Sequence, residues 1–234
     1  MGKRITQQAR GKGSLTFKVR PRAYKHKITF PPIHVQGKGK ITKLFHSAGH
    51  SAPLVEVKIE DIKFIVPAAE GIFEGQEIYI GRREENQEPQ AGDILKLNEI
   101  EKGTKIFNIE SVPGNGGKLF RSAGISAMVF DKREKVEVQV RRRKLRLHEN
   151  CRAVIGSVAG DGRLIKPLVK AGKRYHQMKA IGRKWHRTSA VKVNAVDHPF
   201  GSGRGKRIKS KIAKRNSPPG LKVGHIRPSR TGKK

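Results

Sequence analysis

The sequence predicts a mainly β protein in which two barrel-like units are carried between strongly cationic ends. Two observations predict the fold class: short apolar segments with period-two alternation recur through the middle of the chain, and turn residues separate them at close intervals. A third predicts the arrangement. Of the 19 acidic residues, 13 lie between Glu56 and Glu110, whereas the first 50 residues contain none. Basic and acidic residues number 12 and 0 over residues 1–50, 7 and 13 over 51–110, 10 and 4 over 111–150, and 23 and 2 over 151–234. A net charge of +33 on 234 residues repels itself unless counter-charge comes from outside, so the chain is built to hold a polyanion.

Residues 1–34 read as a basic arm. Phe17, Val19, Tyr24 and Phe30 are too widely spaced to make a core, and charge and glycine dominate, so the arm is expected to order only on its partner. Residues 35–95 read as the first barrel. Val55, Val57 and Ile59 alternate with Glu56 and Lys58, and Ile62–Val66, Glu77–Ile80 and Ile94–Leu97 follow as further strands. Glu84 and Glu85 fall in GRREENQEPQAGD, an exposed loop by composition rather than a paired catalytic site.

Residues 96–172 read as the second barrel, the boundary falling between Gly92 and Gly103. Ile125–Phe130, Val136/Val138/Val140 alternating with Glu137 and Gln139, Leu145/Leu147 and Ala153–Val158 have strand character. Residues 173–234 form a basic C-terminal extension in which Val191, Val193 and Val196 offer one short anchored segment. Long amphipathic helical repeats are not evident.

Several function classes are excluded by pattern. No run approaches the roughly 18 apolar residues of a membrane span, and the N-terminus lacks the apolar stretch of a secretory signal, so a soluble, intracellular protein is expected. Cys151, the single cysteine, reads as a packed, inert thiol. The nine histidines are scattered, and His46-x3-His50 lies among Ser47, Gly49 and Ser51, which disfavour the helix a ligand pair would need. GNGGK at 114–118 lacks the phosphate-loop spacing, since Val112 holds the glycine position and Leu119 follows Lys118. A basic amphipathic membrane helix is disfavoured because 201–220 is broken by glycine and proline. Nucleic acid is the polyanion that remains.

The contact candidates follow from chemistry. Backbone N–H groups in the glycine-rich 114–118 loop, with Lys118 and Arg121, suit a phosphodiester. Arg141-Arg142-Arg143-Lys144-Leu145-Arg146 is the densest cationic cluster, and on a strand Arg142, Lys144 and Arg146 would share one face. Aromatic residues make up only 6%, so broad stacking platforms are not expected; Trp185 is the best isolated stacking candidate, with burial against the second unit an equal alternative. Asp197-His198-Pro199-Phe200-Gly201-Ser202-Gly203 reads as a rigid loop, with His198 and Phe200 able to stack on or hydrogen-bond to bases.

GTKIFNIESVPGNGGKLFRSAGISAMV (103–129), RKLRLHENCRAVIGSV (143–158) and VNAVDHPFGSGRGKR (193–207) resemble the universal large-subunit ribosomal protein L2 family, of the archaeal or eukaryotic-cytosolic type. The resemblance implies an OB-fold-like barrel followed by an SH3-like barrel, with both extensions threaded into large-subunit rRNA in the cytoplasmic ribosome. The residues assigned to rRNA are Arg4, Arg10, Lys12, Arg20 and Arg22 in the arm, and Lys118, Arg121, Arg141, Arg142, Arg143, Lys144 and Arg152 in the barrels. In the C-terminal extension they are Lys173, Arg183, Lys184, Trp185, Arg204, Lys206, Arg207 and Arg215. Asp197, His198, Pro199, Phe200, Gly201 and Gly203 are implied to approach the peptidyl transferase region. His198 matches the first histidine of the family's DHP motif, while bacterial members commonly carry a second histidine where Phe200 stands, so a two-histidine mechanism fails here.

Implied partners are large-subunit rRNA, neighbouring large-subunit proteins, the small subunit and tRNA, with no membrane or small-molecule substrate. No cofactor is implied, and Mg²⁺ enters only through bound rRNA. Two other readings stay open: a general RNA chaperone or nucleic-acid condensing protein, and a direct acid–base role for Asp197-His198 in peptidyl transfer.

Overall fold

The computed structural model describes residues 2–230 except 16, 82–87, 134, 184, 204, 206, 207, 209, 210, 219 and 220, so the Glu84–Glu85 loop lies outside the described residues. The chain divides into two compact units. Pro21–Ala171 forms a sheet unit, and Met1–Arg20 with Gly172–Lys234 forms a terminal unit.

The protein is mainly β, and among the described residues the sheet unit holds ten strands. They are β1 (Gly37–Phe45), β2 (Leu54–Ile59), β3 (Ile62–Pro67), β4 (Glu77–Ile80), β5 (Ile94–Lys96), β6 (Lys105–Phe107), β7 (Ala127–Lys132), β8 (Val136–Val140), β9 (Arg143–Leu147) and β10 (Arg152–Ile155). They pair as one sheet in the order β3-β2-β1-β4-β5-β10-β6-β7-β8-β9, all antiparallel except β4 with β5.

Two cores lie along this sheet. The first gathers Ile41, Val55, Val57, Phe64, Ile78 and Ile94, and the second gathers Leu97, Ile106, Ile109, Val129, Val138 and Cys151. Successive side chains on a strand point to opposite faces, so the strands at the junction serve both. In β5 Ile94 enters the first core and Leu95 the second; in β6 Phe107 enters the first and Ile106 the second; in β10 Val154 enters the first and Ile155 the second. The 92–103 interval expected as a boundary contains β5 itself, and β10 returns from far along the chain to pair with it.

Two expectations are corrected. Residues 21–34 are not an arm that orders only on its partner: Ala23, Ile28 and Phe30 are buried, and the Thr29 N–H donates to the Ile65 carbonyl at 3.1 Å. Their wide spacing reflects separate sites filled on the barrel surface, with Phe30 part of the first core. The Arg141–Arg146 cluster is not one strand. Arg141 has φ +53°, the left-handed region a tight turn demands, and the β8–β9 hairpin reverses there.

One element has no counterpart in the sequence reading, a helix of ten residues. The terminal unit contains α1 (Thr6–Gly11) and α2 (Ala171–Ala180). No residue of α2 is buried, so it has no apolar stripe for a periodicity reading to find. Its end is marked by Gly182 at φ +65°, with the Gly182 N–H bonded to Lys179 O and the Arg183 N–H to Met178 O, a glycine-capped C-terminus.

Candidate nucleic-acid interface

In the sheet unit the glycine loop already holds an anion. The Glu110 carboxylate is fully buried and accepts N–H donors from Gly114 at 3.2 Å, Gly116 at 2.9 Å and Arg152 at 2.9 Å, while Arg152 Nη2 donates at 2.9 Å. Burial pushes this carboxyl up, but the Arg152 and Gly116 hydrogen bonds and the guanidinium charge outweigh it and hold the group below the usual carboxylate range. Gly114 and Gly116 adopt φ +81° and +82°, which lets the loop fold over the carboxylate. These N–H groups were expected to meet a phosphodiester; they are taken by a side chain of the same chain.

Arg152, assigned to rRNA from the sequence, is buried as well. Its Nη1 donates to Pro31 O at 2.8 Å, and its guanidinium lies 5.2 Å from the Phe30 ring centroid. It is an internal cross-link between β10 and the 21–34 segment. Arg121 is half-buried beside the same loop, its Nη1 3.5 Å from Gly117 O, whereas Lys118 is exposed.

The remaining assigned cations of the sheet unit are on its surface. Arg22, Arg141, Arg142, Arg143 and Lys144 are exposed. Lys144 and Arg146 share a face of β9, as alternation requires, and both reach Glu137, at 3.8 and 3.0 Å. Lys144 Nζ also sits 3.5 Å above the Phe130 ring. Arg141, Arg142 and Arg143 therefore supply the free charge of this hairpin tip among the described residues.

His50 of this unit is structural. Ser47 Oγ lies 2.8 Å from His50 Nδ1, and the Tyr24 ring meets the imidazole edge-on. Burial and the nearby Arg121 charge lower the His50 pKa. The Cys151 thiol is buried, and burial with the Glu110 charge pushes its pKa up. Among the described residues no three His, Cys, Asp or Glu side chains gather as a metal site.

The terminal unit brings both chain ends together. The Lys3 N–H donates to Val196 O at 2.8 Å, and Lys3 Nζ lies 3.7 Å from Asp197. A cavity of about 1310 Å³ opens inside the unit, and Arg4, Arg10, Arg20, Arg183, Trp185, Asp197, His198 and Phe200 all line it. Residues assigned separately from sequence thus converge on one site. Phe17, Tyr175, Lys179 and Arg187 join them there without having been singled out as contacts. Nothing local in the sequence ties residue 17 to residue 187, yet the Arg187 guanidinium lies 5.1 Å from the Phe17 ring centroid.

The 197–203 loop forms one wall. The His198 Nδ1 accepts the Phe200 N–H at 3.1 Å, and the two rings lie 4.8 Å apart. Burial and neighbouring His225 lower the His198 pKa, so the imidazole is neutral at pH 7. Phe200 is buried, not free to stack on a base as expected; it packs 5.4 Å from the His225 ring. Gly201 is obligatory because a Cβ would strike the carbonyl oxygens of Val193 and Asn194. Lys211 Nζ donates to Gly201 O at 3.1 Å and Ser202 O at 3.0 Å, fixing the loop's far side. Pro199 and Gly203 are exposed. Asp197 faces Lys3 rather than the imidazole, so no carboxylate–histidine pair forms.

Lys12, Lys173 and Arg215 are exposed in this unit, and Lys184, Arg204, Lys206 and Arg207 lie outside the described residues. Residues 1–20 and 172–234 together contain 25 lysines and arginines against one acidic residue, Asp197. Among the described residues only Ile5 and Phe200 are buried apolar side chains in it. That is too little apolar burial to offset such repulsion.

Residues 90–220 match the family model described as the C-terminal domain of ribosomal proteins L2. Three curated relatives span the whole chain, each bearing the name large ribosomal subunit protein uL2. That of Archaeoglobus fulgidus is 42% identical over 239 residues, covering 99% of this chain and 99% of the relative. Those of Natronomonas pharaonis and Methanococcoides burtonii are 41% and 42% identical, covering 100% of this chain and 97% and 100% of theirs. The chain belongs to the uL2 family of large ribosomal subunit proteins. The resemblance carried by the three sequence motifs is thereby established over the full length.

Proposed function

We propose that this uL2-family chain is a structural, rRNA-binding constituent of the large subunit in the cytoplasmic ribosome, and that its terminal unit is completed by RNA. The observation that carries this is the 25-to-one charge ratio of a unit with two buried apolar residues among those described. Phosphates packed into its cavity supply the missing counter-charge, and the released counterions add to affinity. The exposed Arg141–Arg143 tip adds a second cationic contact on the sheet unit.

In this reading the protein supports assembly and subunit association, and its 197–203 loop shapes the peptidyl transferase and tRNA surroundings without taking part in the chemistry. A neutral His198 that accepts its own loop's N–H, with Asp197 turned to Lys3, favours a loop-shaping role over acid–base work. Neighbouring large-subunit proteins are its protein partners. No cofactor is used, and Mg²⁺ reaches the protein only through bound rRNA.

Crosslinking with sequencing in cells tests this. Crosslinks concentrated in a few large-subunit rRNA segments, with the loop near the peptidyl transferase region, are the expected result. Crosslinks scattered over unrelated transcripts would replace it with a general RNA chaperone.

A further inference from the structure

We propose that the cavity of the terminal unit receives an unpaired stretch of RNA, one of whose bases stacks on Trp185, rather than the backbone of a duplex. The proposal rests on the rRNA-binding reading and narrows it to one class of RNA.

Charge sets the first condition. Among the described residues eight lysines and arginines line the cavity against Asp197 alone, so its occupant is anionic. Size sets the second. At about 1310 Å³ the cavity exceeds the roughly 300–1,000 Å³ of ordinary small-molecule pockets, which suits a run of chain better than one free nucleotide.

The rings set the third condition. Tyr175 and Trp185 meet at 6.0 Å and 80°, and Trp185 and His186 at 4.5 Å and 70°. These are edge contacts, and none is a parallel stack. Trp185 is half-buried and Tyr175 is 37% exposed, both line the cavity, and among the described residues neither ring has a parallel aromatic partner. Arg187 over Phe17 adds a planar cation of the kind that stacks on bases. A duplex cannot use these surfaces, because its bases are paired and its A-form major groove is too deep and narrow for side chains to read. An acidic peptide would match the charge but leaves the rings idle.

Trp185 is the only tryptophan, so the emission of the full chain reports this cavity. The probes are an oligouridine of about ten nucleotides, within the roughly 4–16-nucleotide span of single-strand sites, an RNA duplex of equal length, and polyglutamate. Saturable quenching by the single strand, with duplex binding that leaves emission unchanged, is the expected result. Tyr175→Ala should weaken the single strand roughly 10-fold while sparing duplex binding, since one stacked base contributes roughly 10- to 100-fold.

Equal quenching by duplex or polyglutamate, or single-strand binding with unchanged emission, overturns the proposal. If neither RNA binds, the rRNA-binding reading falls and takes this one with it. Ultraviolet crosslinking in purified large subunits provides the second measurement, because zero-length photochemistry joins only a base and a side chain in direct contact. A Trp185-containing peptide joined to an unpaired nucleotide supports the proposal; its attachment only to paired nucleotides, or to none, refutes it.

Discussion

Replacing Glu110 by Gln should unfold the sheet unit at markedly lower denaturant. The carboxylate receives four donors, and the amide keeps one oxygen, so two donors are left facing an NH₂ group. Each buried donor left unpaired costs about 1–3 kcal/mol. Arg152 is also left without its counter-charge, and breaking a buried pair from one side costs roughly 3–5 kcal/mol in all. With a urea slope of about 2 kcal/mol/M, the midpoint falls by about 1.5–2.5 M.

The pH dependence gives the same test a sign. Glu110 sits below the usual carboxylate range in the folded chain, so its contribution is complete above the unfolded value of roughly 4.3 and is lost as pH falls through that value toward the folded one. The gap between wild type and Glu110→Gln should therefore be full at pH 7 and close in acid. Urea unfolding followed by circular dichroism at several pH values reads both. A midpoint shift under about 0.5 M at pH 7, or a gap independent of pH, would refute the account of the loop as an internally neutralised site.

Three further outcomes are expected. Gly201→Ala should cost about 1–3 kcal/mol locally and speed proteolytic cleavage of the terminal unit, because the new methyl meets the Val193 and Asn194 carbonyls; unchanged cleavage kinetics would contradict this. Native Cys151 should react with a thiol reagent at pH 8 far more slowly than in the unfolded chain, since burial raises its pKa and blocks access. His198→Gln should leave peptide-bond formation by correctly assembled subunits nearly unchanged, whereas a roughly 10²–10⁴-fold loss would mark a positioned acid or base.

Legibility followed the range of the physics. Val55, Val57 and Ile59 announced β2 because the strand period is local, and all three are buried. The sharing of β5, β6 and β10 between two cores was not visible, since it needs the pairing of β10 with residues about sixty positions earlier. Glu110 looked like one more member of an acidic stretch; only its approach to Gly114 and Arg152 separates it from the solvated carboxylates. Helix α2 escaped notice because no apolar face marks it. The cationic ends were evident from counting, while their union through Lys3 and Val196 had no signature in either segment.

That union has a consequence for synthesis. Residues 1–20 leave the ribosome well before their structural partners, which begin only at Gly172, with the 151 residues of Pro21–Ala171 in between. At roughly 5–20 residues per second, the N-terminal segment waits about 8–30 s before the rest of its unit begins to emerge. Throughout that interval a highly basic peptide trails from a nascent chain beside abundant RNA. Its sites become a cavity only once residues well beyond Gly172 have been made, so selection of the right RNA follows synthesis of the sheet unit.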